Sequence, residues 1–350
     1  MGARHGGDSG SRWGWLAGLM LALMLGLVLG PAAAADPDPI PRRVLDPLDQ
    51  CPAWTGRVES LLLWRDAPGG VPLFAPFDAA GSPAVAPIGA GGLVSDMAAG
   101  PRFTLFRHTG DLGAIEFNYF NVQNFNASQG GTSPFPGSYL FADGVLCCSP
   151  FILFEDVNAT LSSEFKSFEL NRRFPTDGRL QWLMGFRWVE WNDTLGLSGS
   201  SFLSPQPVAI GTDASNDLYG MQIGFDSILW RSGGRFWIEG LGKAGAFYNN
   251  SNQFTSVSSD LLDPPLAAGG TGTARAAFVG ELGVTGVGQV TDGLALRTGW
   301  TAFWLGGLAL APNQLDRQCL ICEDKPPSQS IDTGGSVFVN GLTLGLEARW

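Results

Sequence analysis

Few residues of this chain could carry out chemistry. Beyond residue 35 the sequence holds a single histidine, His108, and histidine-dependent hydrolysis would need it beside a carboxylate or a serine. The carboxylate pairs Glu155-Asp156 and Glu323-Asp324 have no convergent partner in the sequence. No phosphate-binding glycine motif and no metal-binding histidine pair occurs. The sequence therefore predicts no enzyme, no cofactor and no metal site.

The cysteines indicate cross-links in place of catalysis. Cys147-Cys148 and Cys319-x-x-Cys322 fall in two long predicted loops, and Cys51 lies apart from them. Exported proteins meet an oxidising environment, so these spacings predict disulfides between the two loops, with Cys147, Cys148, Cys319 and Cys322 as the candidates. A zinc site made of the four cysteines is the alternative that the spacing leaves open.

The N-terminus has the features of a secretory signal. Arg4 and Arg12 precede an apolar stretch from Trp15 to Gly30, and a cluster of alanines follows before Asp36. An uncleaved anchor is the alternative, but the apolar run is short for a membrane span of ~20 residues. We therefore expect a cleaved signal peptide at 1–35 and a Pro-rich periplasmic lead segment at 36–53.

Composition excludes two classes of partner. The chain has 21 Lys+Arg against 32 Asp+Glu, a formal net charge of −11. Nucleic acids and anionic surfaces require clustered basic residues, so neither is expected to bind. After residue 35 there is no apolar run of the ~18 residues that would indicate a membrane-spanning helix.

Alternation of apolar and polar residues is the strongest pattern. Counting back from Trp350, every second residue as far as Leu342 is apolar, while Arg349, Glu347 and Thr343 belong to the other face. Such alternation predicts strands with one apolar face. Ten segments share it: 54–64, 101–108, 112–122, 157–174, 179–191, 216–230, 235–248, 274–290, 294–308 and 337–350.

The connections alternate between tight turns and long segments such as 65–99, 123–156, 192–215, 249–273 and 309–335. This segregation is typical of an antiparallel transmembrane up-and-down β-barrel, with short periplasmic turns and long extracellular loops. We therefore predict a β-barrel of ten strands at 54–350. Twelve is the alternative, if Val71 to Phe77 and Ala90 to Asp96 form a further hairpin.

The polar faces of these strands carry charges of both signs in similar number. Ten or twelve strands enclose a narrow interior, so these charges are expected either to pair across a filled lumen or to form a small-solute filter. The predicted lumen network is Arg57, Glu59, Arg102, Glu116, Glu164, Lys166, Arg187, Asp226, Glu239, Lys243, Glu281, Arg297, Glu347 and Arg349.

Short motifs spread over 54–350 add a family resemblance. They read RVESLLLW and VPLFAPF, then ELNRRF, MGFRWVEWNDTL and DLYGMQIGFD, and finally FVGELGVTGVGQVTDGLALRTGW and GLTLGLEARW. With these motifs the chain resembles the bacterial outer-membrane beta-barrel porin-7 family, which implies an outer-membrane barrel. The ending Thr343-x-Gly345-x-x-Ala348-x-Trp350 also looks like the strand signal read by the barrel-assembly machinery.

Together these patterns predict a cell outer-membrane protein with the lipid bilayer and the barrel-assembly machinery as partners. Its expected role is porin-like, either envelope structure or passage of small solutes. The alternative is a surface interaction or adhesion protein that acts through its long loops. A barrel-embedded hydrolase ranks last because no catalytic constellation occurs.

Overall fold

The computed structural model describes residues 53–77, 86–110, 113–133, 139–142, 153–174, 180–201, 207–232, 234–259, 266–319 and 328–350. The predicted signal peptide, the lead segment up to residue 52 and the candidate disulfide residues Cys147, Cys148 and Cys322 lie outside these ranges. The backbone of Cys319 is described and belongs to a short strand.

Ten strands form the barrel: β1 (Trp54–Arg65), β4 (Ala98–His108), β5 (Ala114–Val122), β8 (Asp156–Arg173), β9 (Leu180–Ser200), β10 (Val208–Arg231), β11 (Phe236–Ser258), β12 (Leu266–Thr291), β13 (Leu294–Leu308) and β16 (Gly335–Arg349). Six shorter strands belong to the connections: β2 (Pro72–Pro76), β3 (Ile88–Gly89), β6 (Ala127–Thr132), β7 (Tyr139–Phe141), β14 (Gln318–Cys319) and β15 (Ser328–Gln329).

The barrel strands pair antiparallel in the order β5-β4-β1-β16-β13-β12-β11-β10-β9-β8, and β5 pairs with β8 to close the ring. The extra strand β6 also pairs with β8, beyond the end of β5. Closure gives each barrel strand a paired neighbour on both sides where the strands of the ring overlap. The predicted ten-stranded antiparallel barrel is therefore confirmed.

The twelve-strand alternative is wrong. The segment from Val71 to Phe77 does form a strand, β2, but β2 pairs with β3 and β7 in a separate three-stranded sheet. Ala90–Gly92, part of the other proposed strand, is a 3-10 turn. Its run of Ala-Gly-Gly offers no alternating apolar face for a sheet to bury.

The prediction of loops at 192–215 and 249–273 is also wrong in extent. Strands β9 and β10 continue to Ser200 and from Val208, and β11 and β12 continue to Ser258 and from Leu266. These stretches are rich in Asn, Ser, Thr and Gly, which the sequence analysis assigned to loops. Pairing with neighbouring strands, on both sides for β9 to β11 and on one side for the start of β12, overrides that local preference.

Strand length divides the barrel into two halves. Strands β8 to β12 are neighbours and have 18 to 26 residues, whereas β1, β4, β5, β13 and β16 have 9 to 15. About 9–11 residues suffice to cross a bilayer at a tilt. We call the end with the tight turns the turn side and the other end the loop side; the long strands rise on the loop side as a raised wall.

The outer surface carries an apolar belt to which every barrel strand contributes. Exposed members, one per strand in chain order, are Val58, Phe103, Ile115, Leu170, Trp182, Met221, Tyr248, Phe278, Leu296 and Leu344. Soluble monomers rarely expose apolar surface that is continuous around the whole molecule. Among the described residues, no helix has the length and hydropathy of a membrane span.

Candidate functional site: the barrel interior and the raised wall

The structure places twelve of the fourteen predicted lumen residues on the interior face of the barrel; the exceptions are Glu164 and Lys166. The described ion pairs inside the barrel join eight basic to eight acidic residues. The basic residues are Arg57, Arg65, Arg102, Arg173, Arg187, Lys243, Arg297 and Arg349, and the acidic residues are Glu59, Glu116, Glu169, Asp193, Asp226, Glu239, Glu281 and Glu347. This balance leaves no excess charge of one sign to select ions.

Glu164 and Lys166 lie on the outer face, which corrects their assignment to the lumen. On β8 the residues that face outward have even numbers, as the exposed Leu170 shows, and side chains alternate with a period of two. Lys166 Nζ lies 2.8 Å from Glu190 Oε1 and 3.3 Å from Glu164 Oε2 on that face. Charges are tolerated there because this part of β8 lies in the raised wall, beyond the apolar belt.

The same alternation identifies interior residues that were not predicted from the sequence. Glu169 and Arg173 are buried inside the barrel, and the flanking Phe168 and Leu170 on the outer face were the available signal. Arg65 and Asp193 were also missed. Their side chains are 1% and 0% exposed, and Arg65 Nη1 donates to Asp193 Oδ1 at 2.9 Å.

A central ion network surrounds Lys243 of β11. Lys243 Nζ lies 2.8 Å from Glu169 Oε2 and 3.8 Å from both Glu116 Oε1 and Glu281 Oε2. All four side chains are at most 3% exposed. Such burial is stable only where every charge is paired and hydrogen-bonded.

Further donors complete the pairing of these carboxylates. Arg102 and Arg187 donate to Glu281 at 3.0 and 2.9 Å. Asn171 and Gln222 donate to Glu169 Oε2 at 2.9 and 2.7 Å. Two further contacts in this network, those of Arg173 with Glu116 and Asp226, tie β8 to β5 and β10. The central network therefore connects strands that are not neighbours in the sheet.

A second network lies nearer the turn side and is centred on Glu347 of β16. Glu347 accepts hydrogen bonds from Arg57 at 2.7 Å, from Arg297 at 2.9 Å and from Arg349 at 2.7 Å. Arg297 also donates to Glu239 at 2.8 Å. This network joins β16 to β1, β13 and β11.

A chamber of about 60 Å³ lies between the two networks, lined by Arg102, Asn118, Lys243, Glu239 and Arg297 among others. Arg102 Nε, Arg297 Nε and Asn118 Oδ1 are buried without a hydrogen-bond partner among the described residues. A polar chamber of this size can hold ordered water, which would pair those atoms.

Toward the loop side, a hydrophobic cluster fills the interior. Each of the ten barrel strands contributes to this cluster. The rings of Phe165 on β8 and Phe303 on β13 lie 5.1 Å apart, and four strands separate β8 from β13 in either direction around the ring. Phe120 contacts both rings, at 4.8 and 5.4 Å. Opposite walls therefore meet in an aromatic layer across the lumen.

Above the aromatic layer, the segment after β13 folds into the barrel and is fastened to the wall. Gly307 has φ of 84°, a conformation that favours glycine and turns the chain inward. Asn216 Oδ1 accepts from Ala309 N at 2.7 Å, and Asn216 Nδ2 donates to Ala309 O at 2.8 Å. Asn249 and Ser251 donate to the same Asn216 oxygen, so Asn216 acts as a latch for this segment.

The outer face of the raised wall changes from aromatic to charged and polar residues between two successive rows of the sheet. Trp188, Tyr219 and Tyr248 lie directly opposite one another on β9, β10 and β11. Two residues further toward the loop side, the corresponding row reads Lys166, Glu190, Asp217 and Asn250. An aromatic row that borders charged residues is typical of the edge of a membrane-facing surface.

Strands β1 and β16, the first and last of the barrel, pair with each other up to the turn side. Trp54 and Trp350 exchange two backbone hydrogen bonds, of 2.9 and 3.1 Å. The indole of Trp350 packs over Gly56, where a Cβ atom would meet it at 3.0 Å. The predicted assembly residues Thr343, Gly345 and Ala348 lie on the same strand, with Gly345 opposite Glu59 and Ala348 opposite Gly56.

Comparisons with known proteins add the following. No family model matches the chain, so the resemblance to the porin-7 family has no support from one. No curated protein matches either. Similar solved structures are bacterial outer-membrane β-barrels. The outer membrane protease OmpT from Escherichia coli is 11% identical, with 85% of this chain and 96% of that chain covered and a TM-score of 0.49.

The translocator domain of the autotransporter NalP from Neisseria meningitidis is 9% identical, with coverages of 95% and 98% and a TM-score of 0.39. A Pseudomonas aeruginosa FadL homologue is 9% identical, with coverages of 85% and 89% and a TM-score of 0.20. At these identities and TM-scores the likenesses establish no activity. The fold of this chain follows from its own strand pairing.

Proposed function

We propose that this chain is a bacterial outer-membrane β-barrel that serves envelope structure and does not conduct solutes. The apolar belt around all ten strands supports the membrane location, and its aromatic border supports the boundary on the loop side. The tight turns then face the periplasm and the raised wall faces the outside. An epitope in the connection 202–206 should react on intact cells, whereas one in the turn at Gly234 should react only after lysis.

The observation that carries the non-conducting role is the aromatic layer. A pore needs a continuous polar path, and here Phe165 and Phe303 from opposite walls are in contact with Phe120. The ion networks on the turn side of this layer pair charges across the lumen. Of the two roles predicted from the sequence, these contacts favour envelope structure over solute passage.

Conductance in planar bilayers tests the proposal. The purified barrel should give no discrete openings, and the double variant Phe165→Ala/Phe303→Ala should introduce a leak because it removes the contact across the lumen. Phe103→Ala/Phe186→Ala is the matched control, since both rings are exposed on the outer face. Heat-modifiable gel migration checks that each variant is folded. Discrete openings of the unmodified protein would overturn the proposal.

A role in surface interaction is the second candidate, and the raised wall is the observation that favours it. Strands β8 to β12 exceed the length needed for a crossing, and beyond the aromatic row the outer faces of β8 and β9 are polar. We propose no catalytic role, since His108 lies near the turn side with Thr55 Oγ1 at 2.9 Å. Turnover of a peptide or ester substrate that His108→Ala abolishes would contradict this.

A further inference from the structure

The loop-side half of β12 is an open edge of the raised wall. Strand β12 pairs with β11 from Leu266 to Gly288, but its pairing with β13 begins only at Phe278. Strand β13 ends at Leu308, where the chain turns inward to the Asn216 latch. From Leu266 to Ala276, β12 therefore has a neighbouring strand on one side only within the part of the chain that the structure describes.

The nearby β14–β15 hairpin does not complete the ladder. Gln318 and Cys319 of β14 pair with Gln329 and Ser328 of β15, and the described pairings join neither strand to β12. Each unpaired stretch of a strand presents a row of N–H and C=O groups that can pair with another strand. Among the described residues, the side of β12 that faces away from β11 is thus a row of backbone donors and acceptors to which no strand is paired.

Of the side-chain features by which proteins protect an edge strand, this edge has one, Arg275, which lies directly opposite the interior residue Asn249. Protected edges carry proline, lysine, bulges or inward charges. The stretch from Leu266 to Ala276 contains only leucine, alanine, glycine and threonine apart from Arg275. Ala268, Gly270, Gly272 and Ala274 to Ala276 are exposed. Small side chains leave the backbone accessible, and the described pairing with β11 has no register shift.

We propose that this edge binds an extended segment of a partner protein, which adds a strand to β12 and continues the sheet of the raised wall. Recognition of this kind rests on main-chain hydrogen bonds. Because Arg275 is the only charged residue of the edge, we assign the affinity to the backbone and expect an uncharged segment. The partner acts from outside the cell, and that part of the inference rests on the proposed orientation.

A second copy of this chain does not fit as the occupant. Barrel strands tilt by about 35–45° from the barrel axis. Two copies in one membrane are related by an axis along the membrane normal, so their β12 strands would cross at about twice that tilt. Strands that cross so steeply cannot form a ladder, whereas a flexible segment can align with β12.

A synthetic peptide with the sequence of residues 249–258 is a suitable probe. In the fold this stretch of β11 already pairs with β12 from Leu266 to Arg275, so its side chains are compatible with that strand. Fluorescence anisotropy would measure binding of the labelled peptide to the folded barrel in detergent. The same peptide with N-methylated central amides lacks the donors, and we expect its binding to be at least tenfold weaker.

Two variants of the protein locate the binding site. Ala268→Lys/Ala274→Lys places lysines on the edge strand, and we expect at least a tenfold loss of peptide affinity. Ser256→Lys/Asn250→Lys is the matched control, because these residues lie directly opposite on β11, whose two sides are both paired. The control should bind within twofold of the unmodified protein.

Equal binding of the methylated and unmethylated peptides would overturn the proposal, as would equal losses in the two lysine variants. Absence of binding up to about 1 mM peptide would do the same. The assay depends neither on conductance nor on membrane orientation. A conducting barrel that still binds the peptide would therefore refute the proposed function and leave the strand-addition site standing.

Discussion

Replacing Lys243 tests whether the central ion network holds the barrel together. Lys243→Met keeps most of the side-chain volume but removes the cation that faces Glu169, Glu116 and Glu281, at 2.8, 3.8 and 3.8 Å. Removing one partner of a buried ion pair leaves an uncompensated charge and costs about 3–5 kcal/mol. The arginines that remain around these carboxylates cannot move into the vacated position without leaving their own partners. We therefore expect a loss in this range.

Lys166→Met is the matched control. Lys166 lies 2.8 Å from Glu190, the same distance as between Lys243 and Glu169, but its side chain is 23% exposed against 3% for Lys243. A pair that water can reach contributes about 0–1 kcal/mol. Both variants thus replace a lysine whose Nζ lies 2.8 Å from a carboxylate oxygen, and the two lysines differ in burial.

Urea unfolding in detergent, followed by tryptophan fluorescence, measures both variants. At a slope of about 2 kcal/mol per molar urea, Lys243→Met should lower the midpoint by about 1.5–2.5 M and Lys166→Met by less than about 0.5 M. Adding Glu169→Gln to Lys243→Met should recover part of the loss, because it removes one negative charge and leaves Arg102, Arg173 and Arg187 against Glu116, Glu281 and Asp226. Equal midpoints for the two single variants would refute the argument that burial makes this network essential.

Three further changes address the packing at Gly341, the latch at Asn216 and the pairing of β16 with β1. Gly341→Ala should cost about 1–3 kcal/mol of unfolding free energy in the same urea titration, because the new Cβ would overlap the backbone of β1. Gly306→Ala is the control. Its new Cβ would meet nothing within 4 Å, so it should cost less than half as much. Asn216→Ala should cost about 1–3 kcal/mol and free the segment at Ala309, seen as faster proteolytic cleavage near that residue while the strands remain protected. Deleting Trp350 removes both hydrogen bonds to β1 and should reduce the yield of heat-modifiable barrel in membranes; an unchanged yield would show that this contact is dispensable.

Local periodicity was sufficient to predict the barrel and most of its interior. A period of two in apolar residues assigns each side chain to one of two faces, so Glu347 and Arg297 were placed inside without knowledge of any partner. The same rule would have placed Glu169 inside and Lys166 outside had the alternation been followed from Leu170. The assignment of Glu164 and Lys166 to the lumen was shifted by one residue along β8, a strand that carries charges on both faces.

The extent of the strands could not be predicted in the same way. The stretch 192–215 consists largely of residues that favour turns, yet most of it is strand because β8 and β11 flank β9 and β10 along the raised wall. Backbone pairing with neighbours is a non-local interaction, and its contribution exceeds the local preferences of Asn, Ser and Gly. Sequence patterns therefore underestimated the wall and overestimated the loops.

By itself, the sequence determined that alternating strands form a closed sheet with an apolar outside, because a face is a property of neighbouring positions along the chain. Only the tertiary structure decided whether the inside is open. Phe165 and Phe303 are far apart in sequence and belong to opposite walls, and their contact depends on the barrel diameter and on the stagger of ten strands. Those quantities exist only once the ring has closed, so the filled lumen, the latch at Asn216 and the open edge of β12 emerge with the fold.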